Sequence, residues 1–319
     1  MRVLPSSFLF LSMLALGSQA PAQEAETWSL HGQATVVVQG HGAFVSPYAG
    51  PNSLESRKEV RTSFTSTLFL GRRLWEGGEL YVNPEAAALE LVWDAWAFRG
   101  GSFLEPEVAN GLLFDHQVAR AHGDVVEVEH GHEIGGRPGR VRLMGFANHA
   151  RMGSYREALA LDPSAPDITA TRRAGRTKYG WGLSAEQALT GDLGAFLRAG
   201  WNDGRTETWA FTEVDRTAAG GLSLAGPRWG RPEDRLGLAA IVNGLSPDHR
   251  AYLAAGGTGF ILGDGRLNAG QERIVEAYYA FEAAHGFTVS LDAERVQNPA
   301  FNRDRGPVSI FALPVQGHF

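Results

Sequence analysis

The C-terminal stretch Val308-Ser309-Ile310-Phe311-Ala312-Leu313-Pro314-Val315-Gln316-Gly317-His318-Phe319 decides the fold. Phe319, Gly317, Val315, Leu313 and Phe311 fall on alternate positions and share one face of a strand, because strand side chains alternate with period two. His318 and Gln316 face the other way, and Ser309 is a polar exception on the apolar face. A strand that is apolar on one side and ends on a large aromatic predicts a closed, antiparallel transmembrane β-barrel, whose last strand zips against its first. The alternative is an edge strand of a soluble sandwich.

The N-terminus points the same way. Met1-Arg2 is a positive start, Val3 to Gly17 is an apolar run, and Ala20-Pro21-Ala22 has the small-x-small cleavage pattern. Residues 1–22 are expected to be a secretory signal peptide and residues 23–319 the barrel. The run is shorter than the roughly 20 apolar residues of a spanning helix, and no later run is longer. The 319 residues include no cysteine, so disulfides play no part. Forty glycines, fifteen prolines and eight tryptophans describe many turns and interfacial aromatics. A hydrophobic share of 44% is too low for a helical membrane protein but suits a barrel with a polar lumen. The net charge of −6, without a basic cluster, argues against nucleic-acid binding.

Alternation recurs along the chain. Trp28 to Val38 is amphipathic and begins on an interfacial tryptophan; Val60 to Leu70 carries its apolar residues on even positions and Arg61, Ser63, Thr65 and Thr67 on odd ones. Tyr179 to Ala185 and Leu193 to Trp201 form two strands joined by Thr190-Gly191-Asp192, a hairpin signal. Further strands are expected over Val141 to Phe146, Leu236 to Leu245, Ile274 to Ala283 and Phe287 to Val296, the last two joined through His285-Gly286. These tight turns alternate with long connections from His41 to Arg57, Asn148 to Arg176 and Ser246 to Gln271, the layout of an outer-membrane barrel with short periplasmic turns and longer extracellular loops.

Six separated segments resemble the carbohydrate-selective porin family of Gram-negative outer membranes, in the family's order. They are Gly77 to Glu85, Pro106 to Gly111, Arg151 to Tyr155, Asn202 to Arg205, His249 to Leu253 and Asn298 to Pro307. The resemblance runs from about Gln33 to Phe319. It implies a 16-stranded channel for passive, selective diffusion of small sugars, set in outer-membrane lipid and lipopolysaccharide. A homotrimer is one assembly it allows, and Phe319 would be the signal read by the barrel-assembly machinery. Two departures modify this. Chain length is missing between Glu85 and Leu89, where Ala88 to Leu91 resembles the lower end of a later descending strand; about 14 strands (12–16) are therefore expected. Pro314 removes a ladder donor from the final strand and predicts a bulge or an unpaired position.

A sugar carries no charge, so a sugar channel needs polar groups for hydroxyls and aromatic faces for rings. By strand parity the lumen candidates are Glu59, Arg61, Arg140, Arg142, Glu186 and Arg198, with Trp96 and Trp209 as possible stacking platforms. Glu127, Glu129, His130, His132 and Glu133 crowd together, but the neighbouring glycines mark a strand running into a turn, and no metal site is expected. Gly256-Gly257-Thr258-Gly259 lacks the lysine of a phosphate loop. Ser246 to His249 lacks a nucleophile elbow. No catalytic residue and no cofactor are expected. Arg303, Asp304 and Arg305, between the last two strands, pair either with lumen charges or with outer-leaflet phosphates, or fold in to hold the closure seam. The expected function is an outer-membrane sugar porin. The alternatives are a shortened relative that does not conduct and serves as a structural or sugar-binding barrel, and a soluble periplasmic sandwich.

Overall fold

The computed structural model describes residues 27–75, 78–82, 85–88, 122–208 and 213–318. The signal segment, Trp96, Trp209 and Phe319 lie outside the described residues. Among those described, thirteen antiparallel strand segments form one sheet. They are β1 (Trp28–His41), β2 (Glu59–Trp75), β3 (Gly78–Val82), β4 (Glu85–Ala88), β5 (His122–Ile134), β6 (Arg137–Met152), β7 (Arg173–Ala188), β8 (Leu193–Asn202), β9 (Arg216–Ala225), β10 (Arg235–Gly244), β11 (Glu272–Ala284), β12 (Phe287–Gln297) and β13 (Val308–His318). From β5 to β13 each strand pairs with the next, and β13 pairs with β1. The seam runs from Gln33 opposite His318 to His41 opposite Ile310.

β3 and β4 pair with β2 in a single register, Leu70 opposite Val82 and Phe64 opposite Ala88. They occupy one line of the wall. This corrects the expectation for Ala88, which continues the ascending strand instead of starting a descending one. The described sheet ends at β3/β4 on one side and β5 on the other, and residues 89–121 between them lie outside the described residues.

Pro314 produces no bulge. The register between β12 and β13 is the same on both sides of it, Val289 opposite Val315 and Asp292 opposite Ala312, with the two intervening pairs skipped. Pairing with β1 is continuous through Val37 opposite Pro314. The missing N–H is therefore absorbed as unmade ladder bonds toward β12, leaving the seam with β1 whole.

Register assigns the two faces. Leu30, Val38, Val60, Leu143, Leu222, Leu238, Val275, Leu291, Phe311 and Leu313 are all exposed and lie on one face across neighbouring strands. Exposed apolar side chains on a continuous band are what lipid requires. Trp28 sits at the turn end of that face with the Arg72 guanidinium 4.6 Å above its ring, and Trp181 pairs with Trp201 at the loop end. Such amphipathic rings anchor the two membrane interfaces.

The longer connections follow β1, β6, β8, β10 and β12 and all emerge at one end. β6 and β7 extend further than expected, so their connection is only 153–172. These loops fold together into a cap. Helix α1 (Tyr155–Leu161) and helix α2 (Pro247–Ala254) bring Tyr155, Ala158, Tyr252 and Leu253 against Ile168, Leu245, Leu262 and Phe301 in a buried apolar cluster. The cap also grips the inward face of the wall: Glu272 Oε1 accepts from the Ala300 N–H at 3.0 Å, and its Oε2 accepts from Asn243 at 3.1 Å. Ile241, Ile274, Val296 and Ile310 pack together on that same inward face. Near the loop end the inward face is thus apolar, because it meets the cap instead of water.

Candidate functional site: the inward wall and its cap

Cross-strand pairing arranges the inward side chains in adjacent rows. One row runs Arg140, Glu186, Phe196, Gly221, Ala239, Glu276, Glu294, Ile310, His41, Glu59. The next toward the loop end holds Glu129, Arg142, Ser184 and Arg198. The row on the other side holds Ser223, Gly237, Tyr278, Asp292, Ala312, Gln39 and Arg61. Glu59, Arg61, Arg140, Arg142, Glu186 and Arg198 therefore all stand on the inward face, within three consecutive rows, although 139 positions separate the first from the last in sequence numbers (198 − 59).

Two groups of ion pairs hold all of them but Arg198. Arg61 donates through Nε at 2.9 Å and through Nη2 at 2.6 Å to Glu59 Oε1, and His41 Nε2 lies 3.8 Å from Glu59 Oε2. At the other end of the rows Glu129 receives two of the β6 arginines, Arg142 Nε at 2.5 Å and Arg140 Nε at 3.3 Å, while Arg142 Nη1 lies 3.6 Å from Glu186. Pairing holds these guanidinium forks in fixed positions, as donors for passing hydroxyls. Arg198 has no carboxylate partner among the described residues; its guanidinium lies 5.5 Å from the Phe196 ring.

The sequence reading missed half of this wall. Glu276 and Glu294 face each other directly, and Asp292 stands opposite Tyr278 one row away, so β11 and β12 add acids to the same rows that carry the arginines. Two rings lie flat over glycines: a Cβ on Gly221 would sit 2.6 Å from the Phe196 ring, and one on Gly237 would sit 2.1 Å from Tyr278. Any side chain there would lift the ring off the wall. Sequence pattern alone groups Glu129 with neighbouring metal-ligand types. The structure separates that cluster, with Glu127, Glu129 and Glu133 inward and His130 and His132 on the lipid-side face, their rings stacked at 6.3 Å. No grouping of three or more metal-ligating side chains occurs among the described residues.

The cap is held by buried polar contacts. His249 is fully buried, stacks on Tyr155 with centroids 4.2 Å apart, and donates through Nδ1 to Asp215 Oδ2 at 3.0 Å. Ser246 is not activated by it: its Oγ donates to the Gly204 carbonyl at 2.6 Å and accepts from the His249 N–H, as the N-cap of α2. Gly204 has φ +58° and a Cβ there would meet Ser246 at 2.3 Å, so only glycine fits. Glu207 accepts from the Gly153 N–H at 2.7 Å and from Arg172 at 2.7 and 2.8 Å. Arg305 is 2% exposed, donates to the carbonyls of Tyr48 and Leu54, and lies 3.4 Å from Asp264. Of the three expected roles for this charged segment, Arg305 takes the inward, loop-fastening one.

Burial alone would raise the Asp215 carboxyl, but hydrogen bonds from His249 and Ser246 outweigh it and hold the group below its ordinary value of 3.8. Asp215 thus contributes stability that is present above pH 3.8 and is lost as pH falls through its depressed value. Burial raises Glu213, whose carboxylate accepts from the Ile261 and Leu262 N–H groups; its titration lies at higher pH and has the opposite sign. The expected result is a cap that opens to protease below about pH 4, after Glu213 is protonated. Limited proteolysis across pH 3 to 7 checks this, and Asp215→Asn should flatten the acid limb.

Segments that resemble the sugar porins, from Arg151 to Tyr155, Asn202 to Arg205, His249 to Leu253 and Asn298 to Pro307, converge on this cap. The comparisons agree with that reading. The sequence model described as carbohydrate-selective porin, OprB family, matches residues 59–319. No match is found among curated proteins. Among solved structures, Pseudomonas putida OprB superposes with a TM-score of 0.65 at 14% identity, over 92% of this chain and 94% of that one. Pseudomonas aeruginosa OccK2 (OpdF) gives a TM-score of 0.47 at 9% identity, over 92% and 97%. The Acinetobacter baumannii channel DcaP gives 0.45 at 10%, again over 92% and 97%. With the family matched over most of its length and an all-β antiparallel wall that is apolar outside and charged within, this chain belongs to the carbohydrate-selective porins of the OprB family, channels of the outer membrane.

Proposed function

We propose that the inward rows bind small carbohydrates in transit, with Glu59, Arg61, Arg140, Arg142, Glu186 and Arg198 as the hydroxyl-binding groups. Residues 1–22 are then the export signal. The observation that carries the reading is the pairing of arginines with carboxylates on the inner wall. Ion pairing fixes each fork in place and cancels much of its charge, which favours a neutral, hydroxyl-rich solute over a simple ion. The acids of β11 and β12 supply acceptors along the same rows, and the half-buried Tyr278 ring, flat over Gly237, offers an apolar face of the kind a pyranose stacks on.

Passage is downhill, so the wall must hold a sugar weakly enough to release it. Many alternative hydrogen bonds of moderate strength achieve this better than one tight site. Single-channel recording of the refolded barrel in a planar bilayer tests the proposal. The expected record is a steady conductance that added mono- or disaccharide reduces in a saturable way. A conductance indifferent to sugar would refute selective transit, and no conductance at all would favour the closed, structural barrel.

A further inference from the structure

We propose that a groove on the outer side of the wall, at the loop end of β9 to β12, binds the phosphate-bearing headgroup of an outer-leaflet glycolipid. The inference rests on the outer-membrane placement above and not on the sugar path, which lies on the opposite face. Two adjoining cavities, of about 330 Å³ and about 620 Å³, share Arg250, Gln271 and Arg303 in their linings. The first is also lined by Arg216 and the second by Arg273, and no carboxylate lines either. By register, Arg216 and Arg273 belong to the face that carries Leu222, Leu238 and Val275. All four arginines are exposed. None is within ion-pair distance of a carboxylate among the described residues. The turn end differs, for there Arg228 pairs with Asp192 and Arg231 with Asp234.

Four unneutralised guanidinium groups around one depression repel each other, and only an anion relieves that repulsion. Phosphate suits the arginine fork, accepting two parallel hydrogen bonds from each. Arg303 is set in place by Gly270, where a Cβ would lie 2.7 Å from Arg303 Cγ and 3.0 Å from its Nε. Directly toward the membrane from the groove, the same face continues as Val242, Leu238, Val275 and Leu291. Charge above and an apolar slope below match a molecule with phosphates at headgroup level and acyl chains beneath. A free anion would use only the upper half. One strand further on, Arg295 also faces outward and donates to Ser309 at 2.7 Å, extending the basic rim. This explains why the apolar face of the final strand turns polar at Ser309.

Native mass spectrometry of the folded barrel with added lipid A tests the proposal. The unmodified chain should hold diphosphorylated lipid A at least tenfold more tightly than the dephosphorylated lipid. Arg250→Gln, Arg273→Gln and Arg303→Gln together should lower the binding at least tenfold, while Arg57→Gln on an exposed loop leaves it unchanged. Equal binding of the two lipids overturns the proposal, and that comparison needs no variant, so a folding failure of the triple variant cannot obscure it. Unchanged binding by the folded variant overturns it too. Displacement of the lipid by millimolar inorganic phosphate would show a plain anion site and overturn the assignment to lipid. Sugar-dependent conductance, recorded from the same preparation, separates failure here from failure of the porin reading.

Discussion

Arg305→Ala is expected to release loop 42–58 from the cap at a cost of about 3–5 kcal/mol, because it strands a buried carboxylate. Arg305 is 2% exposed and its contacts with the Tyr48 and Leu54 carbonyls, the Phe44 ring and Asp264 tie the first loop to the last two. Truncation leaves Asp264 with a hydroxyl from Ser53 and an amide from Asn302 but no cation. The loss should stay local, since β1 and β13 remain paired along the seam. Limited proteolysis of the detergent-folded barrel measures it: cleavage within 42–58 should accelerate at least a hundredfold while heat-modifiable migration persists. Arg305→Lys should recover only part of the protection, since an ammonium lacks the planar fork that reaches two carbonyls and a carboxylate together. Wild-type protection of that loop in Arg305→Ala would show that the guanidinium fastens nothing.

The second large effect is expected inside the barrel. With Arg140→Gln and Arg142→Gln combined, Glu129 and Glu186 lose the cations that lie 2.5 to 3.6 Å from them. The wall then carries uncompensated negative charge at Glu129 and Glu186. Small cations should pass in preference to anions, and saturable block by sugar should weaken about tenfold, the equivalent of about 1.4 kcal/mol in lost charge-assisted hydrogen bonds. Reversal potentials in a salt gradient read the first change, and sugar titration of the current reads the second. If both stay at wild-type values, these arginines are solvated wall residues and the sugar path runs elsewhere. Glu129→Gln alone should move selectivity the other way, toward anions, by freeing the same guanidinium groups.

Local pattern accounts for what could be read directly from residues. Alternation over Val60 to Leu70 and Tyr179 to Ala185 is strong because one face meets lipid, which tolerates no polar group. Tight turns at Thr190 to Asp192 and at His285-Gly286 were legible for a similar reason, since few residue types permit them. Parity failed where two dry environments meet. Ile241, Ile274 and Val296 are inward but apolar, packed beneath the cap, so the inward identity of Glu276, Tyr278, Asp292 and Glu294 was hidden. Glu129 was overlooked because neighbouring histidines suggested a metal site, whereas strand pleating puts them on opposite faces.

Short windows of residues carry most of the strands, the lipid-facing sides where alternation is clean, the tight turns and, through separated motifs, the family. Each of these depends on a short window of residues and one solvent boundary. Which side chains share a row, as Glu59 does with Glu294 and Arg140, and the extension of β3 through Ala88 emerge only in the folded chain. It alone also built the cap, with His249 under Tyr155 and Arg305 inside. Rows come from register summed around many strands, and the cap from loops with no periodicity. Neither is a property of any local stretch of chain; both arise when distant segments compete for the same buried contacts.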